Sequence, residues 1–242
     1  MEYGSKSALK NIDYYMLKFS KRDEKSELFE KSVAIDNDRR SVPIVNGTFD
    51  PICLTECPRR IMYRTLGVSH NAIKSDMRRR ADIATIGKWL GIFKDSFKIN
   101  FIDQDLPLAD SKFNITGKLH AMIKMDNILF ATQIKPVSCE NFTNIKQQGA
   151  LKKDVVEMIV YLWMLEVTDG LVVYDNNDNG DYLAFHIEPY NPIINSVRKK
   201  CERIMRAKMN GGLVERPYED SSSSECKTCE FLDKCWNSKR DK

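Results

Sequence analysis

No apolar run in this sequence is long enough to span a membrane, and no apolar stretch near the amino terminus resembles the core of a secretory signal. These two absences lead to the expectation of an intracellular, cytoplasmic protein (host cytoplasm, for a phage-encoded chain). Strong net charge is also lacking. The formal value is +4, too mild by itself to require a polyanionic partner. Compositional bias is missing as well: 42% hydrophobic, 30% charged and 10% aromatic residues exclude the disordered and fibrous classes. In a reducing compartment the seven cysteines are not expected to pair as disulfides. Metal ligation is then the leading role for any that cluster.

What charge there is lies unevenly. Between Cys57 and Lys88 stand Arg59, Arg60, Arg64, Lys74, Arg78, Arg79, Arg80 and Lys88, against only Asp76 and Asp82. A second concentration, Arg198, Lys199, Lys200, Arg203, Arg206 and Lys208, faces Glu202 alone. Clustered positive charge is the footprint of phosphate-backbone binding, although a solvated helix face has the same composition. At 242 residues the chain can bury a full core. We divide it into a polar amino-terminal extension (1–40) that could dock a partner protein, a core (41–215) and a cysteine-rich tail (216–242).

The core is organised around Asn114 to Lys135. Two β-branched apolar runs, Ile115–Ile123 and Ile128–Ile134, meet at Met125-Asp126-Asn127, where Asp and Asn suit a tight hairpin turn. Alternation along the second run puts Gln133 and Lys135 on one face and Ile134 on the other. Upstream, Asp50-Pro51 fits a helix start that would set Cys53 and Cys57 on one face. Residues 70–98 have helical periodicity. Asp103 to Lys112 reads as a polar loop, and so does the stretch after Lys135. The segment 154–166 is a buried helix on which Glu157 and Tyr161 share a face. Strands Leu171–Tyr174 and Tyr182–Ile187 follow, and then a basic amphipathic helix, 192–209.

In the tail, Cys226 and Cys229 have the C-x2-C spacing that lets two thiolates reach one metal, and Cys235 follows. A fourth ligand would come from Cys53, Cys57, Cys139 or Cys201.

Cys57-Pro58-Arg59 taken with this tail resembles the split iron–sulfur clasp of the RecB/AddB-like exonucleases. These belong to the PD-(D/E)XK superfamily and include phage-encoded and CRISPR-adaptation members. The resemblance covers roughly residues 45–240. It implies an α/β restriction-endonuclease-like core, a mixed central sheet flanked by helices, closed by a 4Fe–4S cluster on Cys57, Cys226, Cys229 and Cys235. Cys53 competes with Cys57, and zinc is the alternative metal. Gly117-Lys118-Leu119-His120, Gln133-Ile134-Lys135 and Glu157/Tyr161 align with the family's G-x-x-D, (E/Q)-x-K and Q-x-x-x-Y. The implied catalytic set is therefore His120, Gln133, Lys135, Glu157 and Tyr161, serving Mg²⁺ or Mn²⁺. The implied partner is DNA, as single strands or duplex ends, with Arg59, Arg60, Arg64, Arg78, Arg79 and Arg80 as its contacts.

The departures fall on the chemistry. His120 stands at the family's Asp position, Gln133 at its Glu position (a neutral substitution that some members tolerate), and Gly91 where an earlier helix carries His; Lys135 alone is unchanged. A site made of His120, Gln133 and Lys135 brings no anionic oxygen to a hard cation. The expectation is a DNA-binding iron–sulfur protein of this nuclease family with cleavage impaired or lost. The alternatives are an active exonuclease with a rearranged metal site, and a virion or scaffold component without DNA binding.

Overall fold

The computed structural model describes residues 47–68 and 76–236, with the side chains of 76–81 excepted. The extension 1–40, Lys74 and the side chains of Arg78, Arg79 and Arg80 lie outside the described residues.

The chain enters through a 3-10 helix, Pro51–Thr55, capped by Asp50, whose carboxylate accepts from the Ile52 amide at 3.1 Å. The cap is where the sequence suggests, but the helix stops at Thr55. A separate helix, α1 (Pro58–Thr65), starts with Cys57 as its N-cap, so Cys53 and Cys57 do not share one helix face. Then come α2 (Asp76–Asp95), β1 (Asn100–Asp110), β2 (Ile115–Met125) and β3 (Ile128–Val137). Next are α3 (Cys139–Gln148), α4 (Lys152–Leu165), β4 (Asp169–Asn176) and β5 (Tyr182–Ile187). The long helix α5 (Asn191–Met209) and two short ones, α6 (Ser224–Lys227) and α7 (Leu232–Trp236), complete the order.

Five strands form one mixed sheet in sequence order. Neighbours are antiparallel except β3 and β4, which run parallel because α3 and α4 carry the chain back across one face. The β2–β3 turn is Asp126-Asn127 with φ of 48° and 68°, the left-handed pair that a two-residue hairpin requires. On one face α2 packs Trp89, Leu90 and Phe93 against Ile123, Ile134 and Val173. The other face buries Met158, Ile159 and Leu162 of α4 against Met122, Ala131 and Val172. A third cluster joins α1 and α5 to the outer side of α4, through Ile61, Met62, Val156, Val160, Val197 and Ile204.

Two expected loops are ordered elements. Asp103 to Lys112 falls largely within β1, which runs the length of β2 with Pro107 opposite Lys118. An edge strand needs hydrogen bonds on one side only, so it tolerates a proline and a polar outer face. The stretch after Lys135 holds α3. Ser138 caps its start by accepting from the Asn141 amide, and Gly149 ends it at φ 91°.

Candidate functional site

Alternation on β3 turns Gln133 and Lys135 toward α4, which presents Asp154, Glu157 and Tyr161 at helical spacing. Lys135 Nζ is ion-paired with Glu157 Oε2 and lies 3.8 Å from Asp154 Oδ1. The Tyr174 hydroxyl donates to Asp154 Oδ2 at 2.8 Å and accepts from the Leu151 amide at 3.0 Å, tying the start of α4 to β4. Gln133 Nε2 and the Tyr161 hydroxyl both donate to the Lys118 carbonyl, at 3.0 and 3.3 Å. Gly117 makes this approach possible, since a Cβ there would sit 2.7 Å from the Tyr161 oxygen.

The same spot is where the β2–β3 ladder ends. Its register runs from Met125↔Ile128 to Ala121↔Thr132. Beyond it the Ile134 amide donates to His120 Nδ1 at 3.0 Å, so a side chain stands in for a strand carbonyl. Ala121 packs on the α2 face while Leu119 packs on the α4 face, although residues two apart on a regular strand share a face. The strand therefore switches faces at His120.

These contacts fix the charge states. Burial, with Lys135 and Lys118 nearby, lowers the His120 pKa to about 3. With Nδ1 accepting from a backbone amide, the neutral ring carries its proton on Nε2. In this arrangement neither ring nitrogen of His120 offers a free lone pair, Nδ1 being taken by the Ile134 amide and Nε2 carrying the proton. Burial pushes the Glu157 carboxyl up and the Lys135 ammonium opposes this. Tyr161 and Tyr174 are held above the usual phenol range, chiefly by burial. Asp154, buried and paired, escaped the sequence reading. Its signal was present, because Asp154, Glu157 and Tyr161 are spaced three and four apart. Two buried oxygens here accept no hydrogen bond, Gln133 Oε1 and Asp154 Oδ1.

A pocket lies at the tail. Cys57, Cys226, Cys229 and Cys235 line it together with Arg59, Arg60, Tyr63, Phe231 and Trp236. Burial pushes the Cys57 thiol up, the Arg60 and Arg59 amides of the first turn of α1 pull it down, and Cys235 and Cys226 add to the rise. The other three cysteines are elsewhere: Cys53 accepts from Arg64 at 3.2 Å, Cys139 is exposed and Cys201 is buried on the inner face of α5. Among the described residues no three His, Cys, Asp or Glu side chains are gathered closely enough to hold a metal ion, these four cysteines included.

The arginines of α1 are committed to this tail. Arg59, 5% exposed, donates to the Val214 carbonyl at 2.9 Å and reaches Cys235 Sγ at 3.9 Å. Arg60 and Arg64 pair with Glu230 at 2.5 and 2.7 Å, and Arg64 also with Glu56 at 2.7 Å. Lys88, from the same basic concentration, is paired with buried Asp175. Charges already matched within the protein are poor counterions for phosphates.

The crystal structure of an alkaline exonuclease, LHK-Exo from Laribacter hongkongensis, superposes with a TM-score of 0.52 over 75% of this chain and 93% of that one, at 10% identity. The fold is similar to that of an exonuclease. LHK-Exo in complex with dAMP also gives 0.52, over 69% and 90% of the two chains at 11% identity. The crystal structure of SSO0001 aligns over 84% and 91% at 17% identity, with a TM-score of 0.48. No family model and no curated protein matches the sequence. Among the described residues no helix is long and apolar enough to cross a membrane.

Proposed function

We propose that this chain is a DNA-binding protein built on an exonuclease fold, with phosphodiester cleavage lost or strongly impaired. The observation that carries this reading is the Lys135–Glu157 ion pair. Lys135, on β3, is neutralised by Glu157 of α4, where a nuclease would keep it free to stabilise developing negative charge. The donor set agrees. His120 is bound to the backbone, the Gln133 amide is turned to Lys118, and Glu157 is engaged by Lys135. These residues do not fit the carboxylate cation site that the resemblance implies.

The reading extends to the tail, where Cys57, Cys226, Cys229 and Cys235 would hold a 4Fe–4S cluster. Four sulfur donors line one pocket beside buried Phe231, with Arg59 reaching Cys235; not gathered closely enough for a single ion, they would be joined through the several irons of a cluster. A cluster there supplies a covalent tie and a one-electron centre; zinc would supply the tie alone. That LHK-Exo was crystallised with dAMP supports a nucleotide-bearing partner for the shared fold.

One observation favours a second reading. Gln133 Oε1 and Asp154 Oδ1, which accept no hydrogen bond although the latter lies 3.8 Å from the Lys135 ammonium, are hard donors that suit a displaced Mg²⁺ or Mn²⁺ site in an active exonuclease. The test is degradation of end-labelled single- and double-stranded DNA by anaerobically purified protein, with each cation, beside Lys135→Ala and Asp154→Asn. No cleavage with DNA binding retained is the expected result. Cleavage abolished by both substitutions would overturn the reading in favour of the displaced site. Iron, sulfide and zinc analysis of the same preparation decides between the two metals.

A further inference from the structure

The two basic concentrations in the sequence fare differently in the fold. In the first, Arg59, Arg60, Arg64 and Lys88 are matched internally. In the second, Lys200 is spent on the carbonyls of Leu54 and Glu56, at 2.7 and 3.0 Å, where it caps the end of the 3-10 helix. Arg198 lies flat over Trp163, 4.5 Å from its centroid, and over Phe113. Lys208 leans toward the backbone at Gly47.

Lys199, Arg203 and Arg206 remain. All three are exposed, and none forms an ion pair with any described residue. They stand at i, i+4 and i+7, within about 60° of arc on a helix turning 100° per residue. Asn195 and Ser196, also exposed, continue the stripe toward the start of α5 as uncharged hydrogen-bonding groups. Glu202 sits at its edge as the one acidic side chain. Val197, Cys201 and Ile204 on the opposite side fix α5 against α1 and α4, so the stripe is held rigid and turned outward.

Resting on the reading of this chain as a DNA-binding protein, we infer that the outer face of α5, through Lys199, Arg203 and Arg206, is the surface that follows the DNA phosphate backbone. Three cations over seven residues span about 10 Å of helix. That is the axial rise of about three phosphates of one strand, at 3.4 Å each. Its cations match phosphates rather than base edges, so the affinity they supply is indifferent to sequence and strongly dependent on salt.

The experiment measures the Kd of the full chain for a fluorescent 20-nucleotide single strand and a 20-base-pair duplex, by anisotropy between 50 and 200 mM salt. The triple substitution Lys199→Gln, Arg203→Gln, Arg206→Gln alters only exposed positions, and unchanged circular dichroism and melting temperature verify that it folds. Each cation removed lowers the slope of log K against log salt by about 1, so the triple variant loses about 3 and binds at least tenfold more weakly at 100 mM. Glu202→Gln, which removes the opposing charge, binds several-fold more tightly. Wild-type binding that the triple variant keeps, with the same slope, overturns the inference alone. A wild-type chain that does not bind DNA overturns the reading beneath it as well.

Discussion

His120 shows how a side chain can take the place of a strand carbonyl. Its type and position invite a metal-ligand reading, yet its Nδ1 closes the hydrogen bond that the β2–β3 ladder leaves open at Ile134. Sequence could not reveal this, because the partner is a backbone amide fourteen residues away whose own strand mate has turned aside. The consequence for pH follows from the sign of the shift. The folded-state pKa lies near 3, below the ordinary value of 6.5. As pH falls through 6.5 the unfolded chain gains a proton that the folded chain refuses, and stability declines until about pH 3. The slope approaches 1.4 kcal/mol per pH unit at most. Urea unfolding between pH 7 and 4 should show a shallower decline for His120→Gln than for the wild type, and parallel curves would refute this role. Glu157 and Lys135 supply a second test. Removing one member of a buried pair costs about 3–5 kcal/mol, and Glu157→Ala should fall toward the lower end because Asp154 remains 3.8 Å from the ammonium. The double variant Lys135→Met, Glu157→Met should recover most of the loss.

Elements were legible where two periodicities coincided with turn chemistry. The hairpin of β2 and β3 is visible in its β-branched runs and in Asp126-Asn127, and the site face follows, since alternation alone turns Gln133 and Lys135 together toward α4. Two other elements hid behind polar composition. β1 carries Asp103, Asp105 and Pro107, which describe a loop until a neighbouring strand is supplied. α3 announces itself only by its ends, Ser138 and Gly149, and its interior buries just Phe142 and Ile145. Gly149 offers a direct measurement of what that end requires. Its φ of 91° and ψ of −175° belong to a region open essentially to glycine, and an added Cβ would meet nothing within 4 Å. Gly149→Ala should therefore cost about 1–3 kcal/mol from backbone strain alone. A loss within error of zero, by thermal or urea denaturation, would show that α3 ends as readily in another conformation.

For the molecule as a whole, charge was the least legible property. The sequence shows how many cations stand near one another but not which are already matched. Arg59, Arg60 and Arg64 face the tail across the fold, so they stabilise the architecture. Arg59→Ala should cost about 1–3 kcal/mol by leaving the buried Val214 carbonyl without its donor. Glu230 gives the corresponding pH dependence. Burial opposes its charge, but hydrogen bonds from Arg60 and Arg64 outweigh it and hold its pKa at about 2, below the ordinary 4.5. This contribution is complete above pH 4.5 and is lost as pH falls toward 2, so melting temperatures of wild type and Glu230→Gln should converge over that window.

The tie between α1 and the tail also sets a schedule. Glu230 follows Arg64 by 166 residues, and Val197, Cys201 and Ile204, which cover Ile61 and Met62, come only slightly sooner. At 5–20 residues per second a ribosome takes roughly 8–33 s to deliver that partner. Helix α1 is thus among the first elements made and the last to be enclosed, with Ile61, Met62 and Tyr63 uncovered while the sheet behind them is already pairing. A nascent chain halted before α5 would display those side chains to any chaperone within reach, and the final stretch of translation is what withdraws them.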